Sequence, residues 1–329
     1  MSTTKILITG ITGQDGIFLT SHLLKKEEDL KIFGITRSNK NNIFYKNLQN
    51  VTGKFDENNL DLIKLDLLNQ QDVEKLLTDL KVNKIINLSG PSSVYNSFQN
   101  TDEYKNIIIN QFNNLVKGCY LTNTLPTFFQ ASSSEMFSSS EQLPLNEYSK
   151  MEPRSPYSEA KYALHNKVHE LRNSNDWNIK SGIMFNHESE YRLENFLVMK
   201  VINSAIDIFN QKTSELIVGS LEYKRDWSYA YDIVKAIDLM IHEDDPVDYV
   251  IGSGTGNTIL DMVKFVFKYF NFDYQDYVKV DSSLLRAGDP TNIVSDPTLI
   301  YDNLGWKTEV TFQDMLTKII EFKLNTISK

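Results

Sequence analysis

Apolar residues along the chain fall into two alternating kinds of run. Short runs such as KILIT (5–9), KIFGIT (31–36), DLIKLD (61–66), KIINL (84–88), TFFQA (127–131) and the segment 179–185 have the length of sheet strands. Between them lie longer segments whose apolar residues recur at three- and four-residue intervals, the helical period. Ile17, Leu19, Leu23 and Leu24 mark one such helix. A second is expected over 70–81 and a fourth over 157–172. The third, around 102–120, carries Tyr104, Ile107, Ile108, Phe112, Leu115 and Val116. Strands alternating with helices of this length imply βαβ units and a parallel sheet. The alternation holds to about residue 187 and then loosens into mixed short elements. The polar segments 38–43 and 132–142 read as loops, and no internal repeat is evident. The expected architecture is α/β: a doubly wound parallel sheet followed by a smaller C-terminal α/β domain.

Composition narrows the function classes. The chain has 329 residues, of which 41% are hydrophobic and 23% charged, an ordinary balance for a protein with a real core. The net charge of −9 argues against nucleic acid or an anionic membrane surface as partner, since both are held by fields of Lys and Arg. An anionic small molecule would need a local basic cluster. The single cysteine, Cys119, excludes an intramolecular disulfide and suits a reducing, cytoplasmic setting. Neither a signal peptide nor an apolar stretch long enough to span a bilayer is expected, and no metal site is anticipated.

The first strand runs into GITGQDG, with Gly10, Gly13 and Gly16 in G-x-x-G-x-x-G spacing ahead of a helix. Glycines make turns in many settings. Between a strand and a helix N-terminus, however, they let the backbone approach a pyrophosphate whose charge the helix stabilises. This makes the sheet Rossmann-type. Residues 1–187 would form the dinucleotide-binding domain, with 229–251 returning to it, while 188–228 and 252–329 would form the substrate domain. The second strand ends in Arg37, where NAD-binding relatives of this fold carry an acid for the ribose. Arg37 is either a surface charge or the partner of a 2′-phosphate. The glycine loop favours the second, and hence NADP over NAD. Asp66, ending the third strand, is either a turn former or an acceptor for the adenine amine.

Tyr157 and Lys161 share a helix face at i, i+4 spacing. An ammonium so placed is expected to lower the phenol pKa and make Tyr157 a usable base. Upstream, FQASSSEMF (129–137) puts Ser133 and Glu135 just past a strand end, where open α/β sheets place their active sites.

With these residues in hand, the chain resembles the GDP-mannose 4,6-dehydratases, extended short-chain dehydrogenase/reductases. That family's motifs are matched by TGITGQDG (9–16), QASSSEMF (130–137), PRSPY (153–157), MFNHES (184–189) and KRDW (224–227). The resemblance implies that Tyr157 takes the proton of the sugar 4-hydroxyl while C4 gives up hydride to NADP+. Lys161 holds the ribose and tunes Tyr157, and Ser133 bonds the 4-hydroxyl. Glu135 removes the C5 proton and assists loss of the 6-hydroxyl as water, after which hydride returns to C6. The implied cofactor contacts also include Thr12, Gln14, Asp15, Leu67, Leu88, Ser89, Gly90, Ser92, Tyr104, His187 and Arg192. Asn186, Lys200, Arg225, Arg286 and Asp289 are implied around a nucleoside diphosphate sugar, with GDP as the implied nucleotide.

The chain departs from the family at Pro91-Ser92-Ser93-Val94, at Glu190-Tyr191-Arg192-Leu193 and at Ser133, where most members have Thr. The loop from Arg37 to Tyr45 and the region before Asp281 are also shorter. A homodimer built on the helices around 102–120 and 157–172 is therefore expected rather than the family's tetramer. Three alternatives stand beside the dehydratase: a 4-dehydrogenase, reductase or epimerase of a related sugar nucleotide; a GDP-heptose 4,6-dehydratase; and a non-catalytic nucleotide sensor. The intact set Ser133, Glu135, Tyr157 and Lys161 argues against the sensor.

Overall fold

The short apolar runs become neighbouring strands of one parallel sheet. The structure is a computed structural model that describes residues 3–26, 29–37, 41–122, 125–137, 143–285 and 289–327. The first half of the chain runs β1 (Thr4–Thr9), α1 (Gln14–Lys26), β2 (Leu30–Thr36), α2 (Asn41–Thr52), β3 (Leu60–Lys64), α3 (Gln70–Leu80), β4 (Lys84–Asn87), α4 (Val94–Ser97), α5 (Thr101–Tyr120), β5 (Thr127–Ala131), α6 (Pro156–Asn175) and β6 (Ile179–Met184). The second half runs β7 (Asn186–Glu188), α7 (Leu197–Phe209), β8 (Leu216–Val218), β9 (Lys224–Tyr229), α8 (Ala230–His242), β10 (Tyr249–Ile251), β11 (Gly256–Thr258), α9 (Ile259–Tyr269), β12 (Val278–Val280), β13 (Asn292–Ile293), α10 (Thr298–Leu304) and α11 (Phe312–Ile327).

Seven strands pair in the order β10-β6-β5-β4-β1-β2-β3, and every pair is parallel. The strand order reverses between β1 and β4, which opens a crevice beyond their C-terminal ends. Central strands are mostly apolar because helices cover both faces; every residue of β6 is buried, Lys180 and Ser181 included. Helices α3, α5 and α6 cover one face, and α1, α2 and α8 the other. The strand β10, from late in the sequence, forms the edge beyond β6.

Local signals explain the element ends. Asn69 caps α3 by accepting from the Asp72 amide, and Lys81 closes it in the left-handed conformation at φ 48°. Ser155 and Ser158 form a capping box at the start of α6, with Pro156 in its first turn. One expectation fails here. Residues 41–43, expected in a loop, open α2, because Phe44 and Leu48 lie one turn apart and are both buried, and packing of that stripe outweighs an Asn-rich start.

The second layer is built around β9, which pairs with β11, β13 and β7; β8 and β12 make a separate two-stranded sheet. Helices α7, α9 and α11 pack with it, and their apolar residues join the core under α1 and α8 without a break. Among the described residues no helix is long and apolar enough to cross a membrane.

Candidate active site

The glycine loop sits in the crevice at the end of β1. Gly10 adopts φ +68°, and a Cβ there would stand 2.8 Å from the Leu88 carbonyl oxygen at the end of β4. A Cβ on Gly16 would lie 2.3 Å from the Ile11 carbonyl oxygen, so only glycine lets the first turn of α1 pack this close to the loop that leaves β1. The Gly13 amide donates to Gly10 O at 3.0 Å and folds the loop back on itself. Thr12 and Gly13 are exposed, while Gln14, at the start of α1, is buried. Leu88, Ser89 and Gly90 line the facing loop, with Gly90 at φ +128°.

The loop is tied to the segment after β6. Gln14 Nε2 donates to His187 O at 3.0 Å, and Ser189 Oγ donates to Gln14 Oε1 at 2.8 Å. His187 Nε2 lies 3.1 Å from Asp15 Oδ2. Burial works against both charges, but each holds the other ionised: Asp15 stays below the usual carboxylate range and His187 above the usual imidazole range. Arg192 Nε lies 3.2 Å from Glu188 Oε2, and its guanidinium stacks 3.5 Å from the Phe196 ring centre. Glu188, fully enclosed and pushed up by burial, is a member of this cluster that the sequence reading passed over. Nothing in the spacing of MFNHES sets it apart from its polar neighbours Asn186 and His187.

The catalytic candidates converge. Ser133 caps the short 3-10 turn Ser134–Met136, which presents Glu135 beside the start of α6. A hydrogen bond joins Ser133 to Tyr157, and the Glu135 carboxylate is close enough to raise the phenol pKa. Tyr104, from α5, donates to Ser93 O at 2.7 Å and is also electrostatically coupled to Tyr157. Lys161 Nζ donates to Ala131 O at 2.8 Å and stands 5.8 Å from the Tyr157 ring centre. The expected lowering of the phenol pKa is not what this arrangement gives. Burial pushes Tyr157 up to about 12, and Lys161 down to about 8, because both groups leave water.

The substrate candidates are less uniformly gathered. β7 pairs with β9, which sets Asn186 opposite Trp227, two residues from Arg225. Arg225 Nη2 lies 3.1 Å from Asp289 Oδ1, so these two candidates are ion-paired. Lys200 is exposed on α7, where its Nζ bonds Ile217 O in β8, tying it to a neighbouring strand. Arg286 lies outside the described residues. Arg37 directly follows β2 and is exposed, as is Ser92. Asp66 is exposed and its Oδ1 accepts from the Leu68 amide at 3.0 Å, a turn-forming role, while Leu67 is buried. Of the departures from the family pattern, Glu190 and Tyr191 turn to a cavity of about 340 Å³ shared with Phe18, Tyr229, Tyr231 and Phe322. Glu190 accepts from Tyr229 OH at 3.1 Å there.

Two further groups went unnoticed in the sequence. Thr9 Oγ1 donates to Asn87 Oδ1 at 2.5 Å, and Asn87 Nδ2 donates to Gln130 Oε1 at 2.7 Å. The three are register partners at the ends of β1, β4 and β5, and they form a buried polar floor beneath the site. Their signal was a polar residue at or next to the end of three short apolar runs. Asp226, inside KRDW, is fully buried and accepts from the amides of Ser253, Gly254 and Ser295, which makes it a structural hub.

Comparison with known proteins follows the same lines. A family model described as GDP-mannose 4,6 dehydratase matches residues 7–319. The chain is similar to GDP-mannose 4,6 dehydratase 2 of Arabidopsis thaliana, 31% identical over 329 residues, covering 96% of this chain and 85% of that protein. Among solved structures it is similar to DesIV, a dTDP-glucose 4,6-dehydratase from Streptomyces venezuelae with NAD and TYD bound, at a TM-score of 0.85 and 17% identity, covering 99% of this chain and 98% of that one. It is also similar to RMD from Pseudomonas aeruginosa complexed with NADPH, at a TM-score of 0.79 and 18% identity, covering 97% and 98%. At these identities the two structures speak to the fold.

Proposed function

The chain belongs to the GDP-mannose 4,6-dehydratase family, and from that premise we propose that it is a hydro-lyase converting GDP-mannose or a close relative to the 4-keto-6-deoxy sugar nucleotide. The observation that carries this reading is Glu135 beside the hydrogen-bonded pair Ser133 and Tyr157. Oxidation at C4 needs a base for one hydroxyl proton; water loss across C5 and C6 needs a second acid–base group, and Glu135 is that group.

The chain's own residues divide the work. Ser133 and Tyr157 meet the 4-hydroxyl, and Tyr157 accepts its proton. Lys161, with a pKa near 8, is mostly protonated at neutral pH and supplies the cation one helical turn away. Glu135 takes the C5 proton, made acidic by the adjacent 4-ketone, and protonates the departing 6-hydroxyl. The crevice around Gly10, Gly13 and Gly16 fits a dinucleotide pyrophosphate, because the space a Cβ would fill is closed by backbone on one side and the helix N-terminus faces the other. A bound nicotinamide dinucleotide supplies a reversible hydride acceptor, so the overall reaction is redox-neutral. Arg37 favours NADP for that role, and Asp15, His187 and Arg192 brace the loop that holds it. In the same proposal residues 1–187 with 229–251 hold the cofactor, residues 188–228 and 252–329 hold the sugar nucleotide through Asn186, Arg225 and Asp289, and the enzyme works in the cytoplasm.

The test is a panel of sugar nucleotides, including GDP-mannose and a GDP-heptose, incubated with the protein and read by mass spectrometry. The expected result is a GDP-sugar product lighter by one water. Glu135→Gln should slow water loss by about 10²–10⁴-fold, the usual worth of a positioned acid–base group, while cofactor affinity holds. Products of unchanged mass, or changed only by two hydrogens, would assign the chain to the epimerases or dehydrogenases instead.

A further inference from the structure

A second group of ligating side chains lies away from the dinucleotide crevice. His165 and His169 are one turn apart on α6, and Asp248 immediately precedes the edge strand β10. His169 Nε2 stands 3.1 Å from His165 Nε2 and 3.0 Å from Asp248 Oδ2. One ligand atom from each residue falls within 4.8 Å of the others. In a tetrahedral site with bonds of about 2.0–2.1 Å, neighbouring ligand atoms stand about 3.3 Å apart. The two close separations thus need to open by only a few tenths of an ångström.

The burial pattern is that of a site rather than of three surface residues. His165 and Asp248 are 7% and 8% exposed. Asp248 Oδ2 is buried and faces His169 Nε2. Asp248 Oδ1 is held from behind by Arg172 Nη2 and the Ser181 amide, each at 2.5 Å, which turns Oδ2 toward the imidazoles. The His169 side chain is 46% exposed, leaving the outer side of the cluster open to solvent.

We propose that His165, His169 and Asp248 bind a divalent transition-metal ion of borderline softness, of which zinc is the type, with water completing the shell. Two imidazoles and one carboxylate suit such an ion and not Mg²⁺ or Ca²⁺, which take oxygen ligands. The site lies further along α6 than the proposed chemistry, with His165 one turn beyond Lys161. His169 is 12 residues beyond Tyr157 on the same helix, about 18 Å at 1.5 Å per residue. An ion there clamps α6 to β10, so its effect falls on stability. The Arg172 charge limits the affinity, which should be weaker than that of a closed structural zinc site.

The experiment uses the full chain without an affinity tag, titrated with zinc chloride in a calorimeter and followed by thermal unfolding. One ion per chain and a Tm that rises with zinc but not with magnesium are expected. His169→Ala, at the half-exposed ligand and therefore tolerant of truncation, should weaken zinc at least about tenfold and abolish the rise in Tm. His22→Ala should do neither; His22 and His242 flank Asp238 and are the obvious competing pair. No saturable binding, or binding that survives His169→Ala, or binding lost only in His22→Ala, overturns the proposal.

Discussion

At Arg37 a single side chain is expected to choose between two dinucleotides. It follows the last residue of β2 and is exposed, with no acid at that position to bond a ribose hydroxyl. A charge-assisted bond to a 2′-phosphate is worth about 1.5–3 kcal/mol, or roughly ten- to a hundredfold in affinity. NADP+ should therefore bind more tightly than NAD+, and Arg37→Ala should remove about that much of the preference in a fluorescence titration; equal affinities in the unaltered protein would refute the assignment. The Asp15–His187 pair makes a different kind of claim, one about pH. His187 titrates above its unfolded value of about 6.5, so its contribution is whole below that pH and is lost as pH rises through the higher folded value. Asp15 titrates below its unfolded value of about 3.9, so its share is present above that and lost in acid. The pair stabilises most between about pH 4 and 6.5. His187→Gln should show its largest deficit in Tm in that window and a smaller one at pH 9. A deficit that does not vary with pH would mean that His187 acts by packing alone.

Elements hold these residues in place through their ends more than their middles. The Thr9–Asn87–Gln130 floor fixes the mutual register of β1, β4 and β5 where their loops leave the sheet. Asn87 also accepts from Ser89 Oγ at 2.7 Å, so the floor reaches into the loop facing Gly10. Asn87→Ala strands several buried polar groups at once, at a cost of about 3 kcal/mol. The urea midpoint should fall accordingly, and an unchanged midpoint would show that solvent replaces the amide. The capping box at Ser155 does the same for α6: it starts the helix at Pro156, so that Tyr157 faces the Ser133 turn and Lys161 reaches the end of β5. Both devices use residue types that the sequence displays openly. What it does not display is that a polar strand end is a shared floor, since that depends on which strands become neighbours.

For the whole molecule, α5 and α6 lie side by side on one face of the sheet. They remain the surface on which a C2 homodimer is proposed, the commonest closed symmetry. Light scattering coupled to size exclusion should give the mass of two chains; four chains persisting at low concentration would show that another surface assembles them. The alternation of strands and helices, the glycine loop and the order Ser133, Glu135, Tyr157, Lys161 were all legible in the sequence, because each rests on local period or local spacing. The helix α2 was missed because its buried stripe of Phe44 and Leu48 is short and follows a polar start. Other features belong to the tertiary structure alone. Asn186 comes near Arg225 only because β7 pairs with β9, and Arg225 meets Asp289 across 64 positions of chain. The phenol of Tyr157 rises instead of falling because burial, which no spacing encodes, outweighs the nearby charge. Sequence determines what is periodic and what is adjacent; burial and long-range pairing exist only once the sheet has closed, and they set the chemistry of the groups inside it.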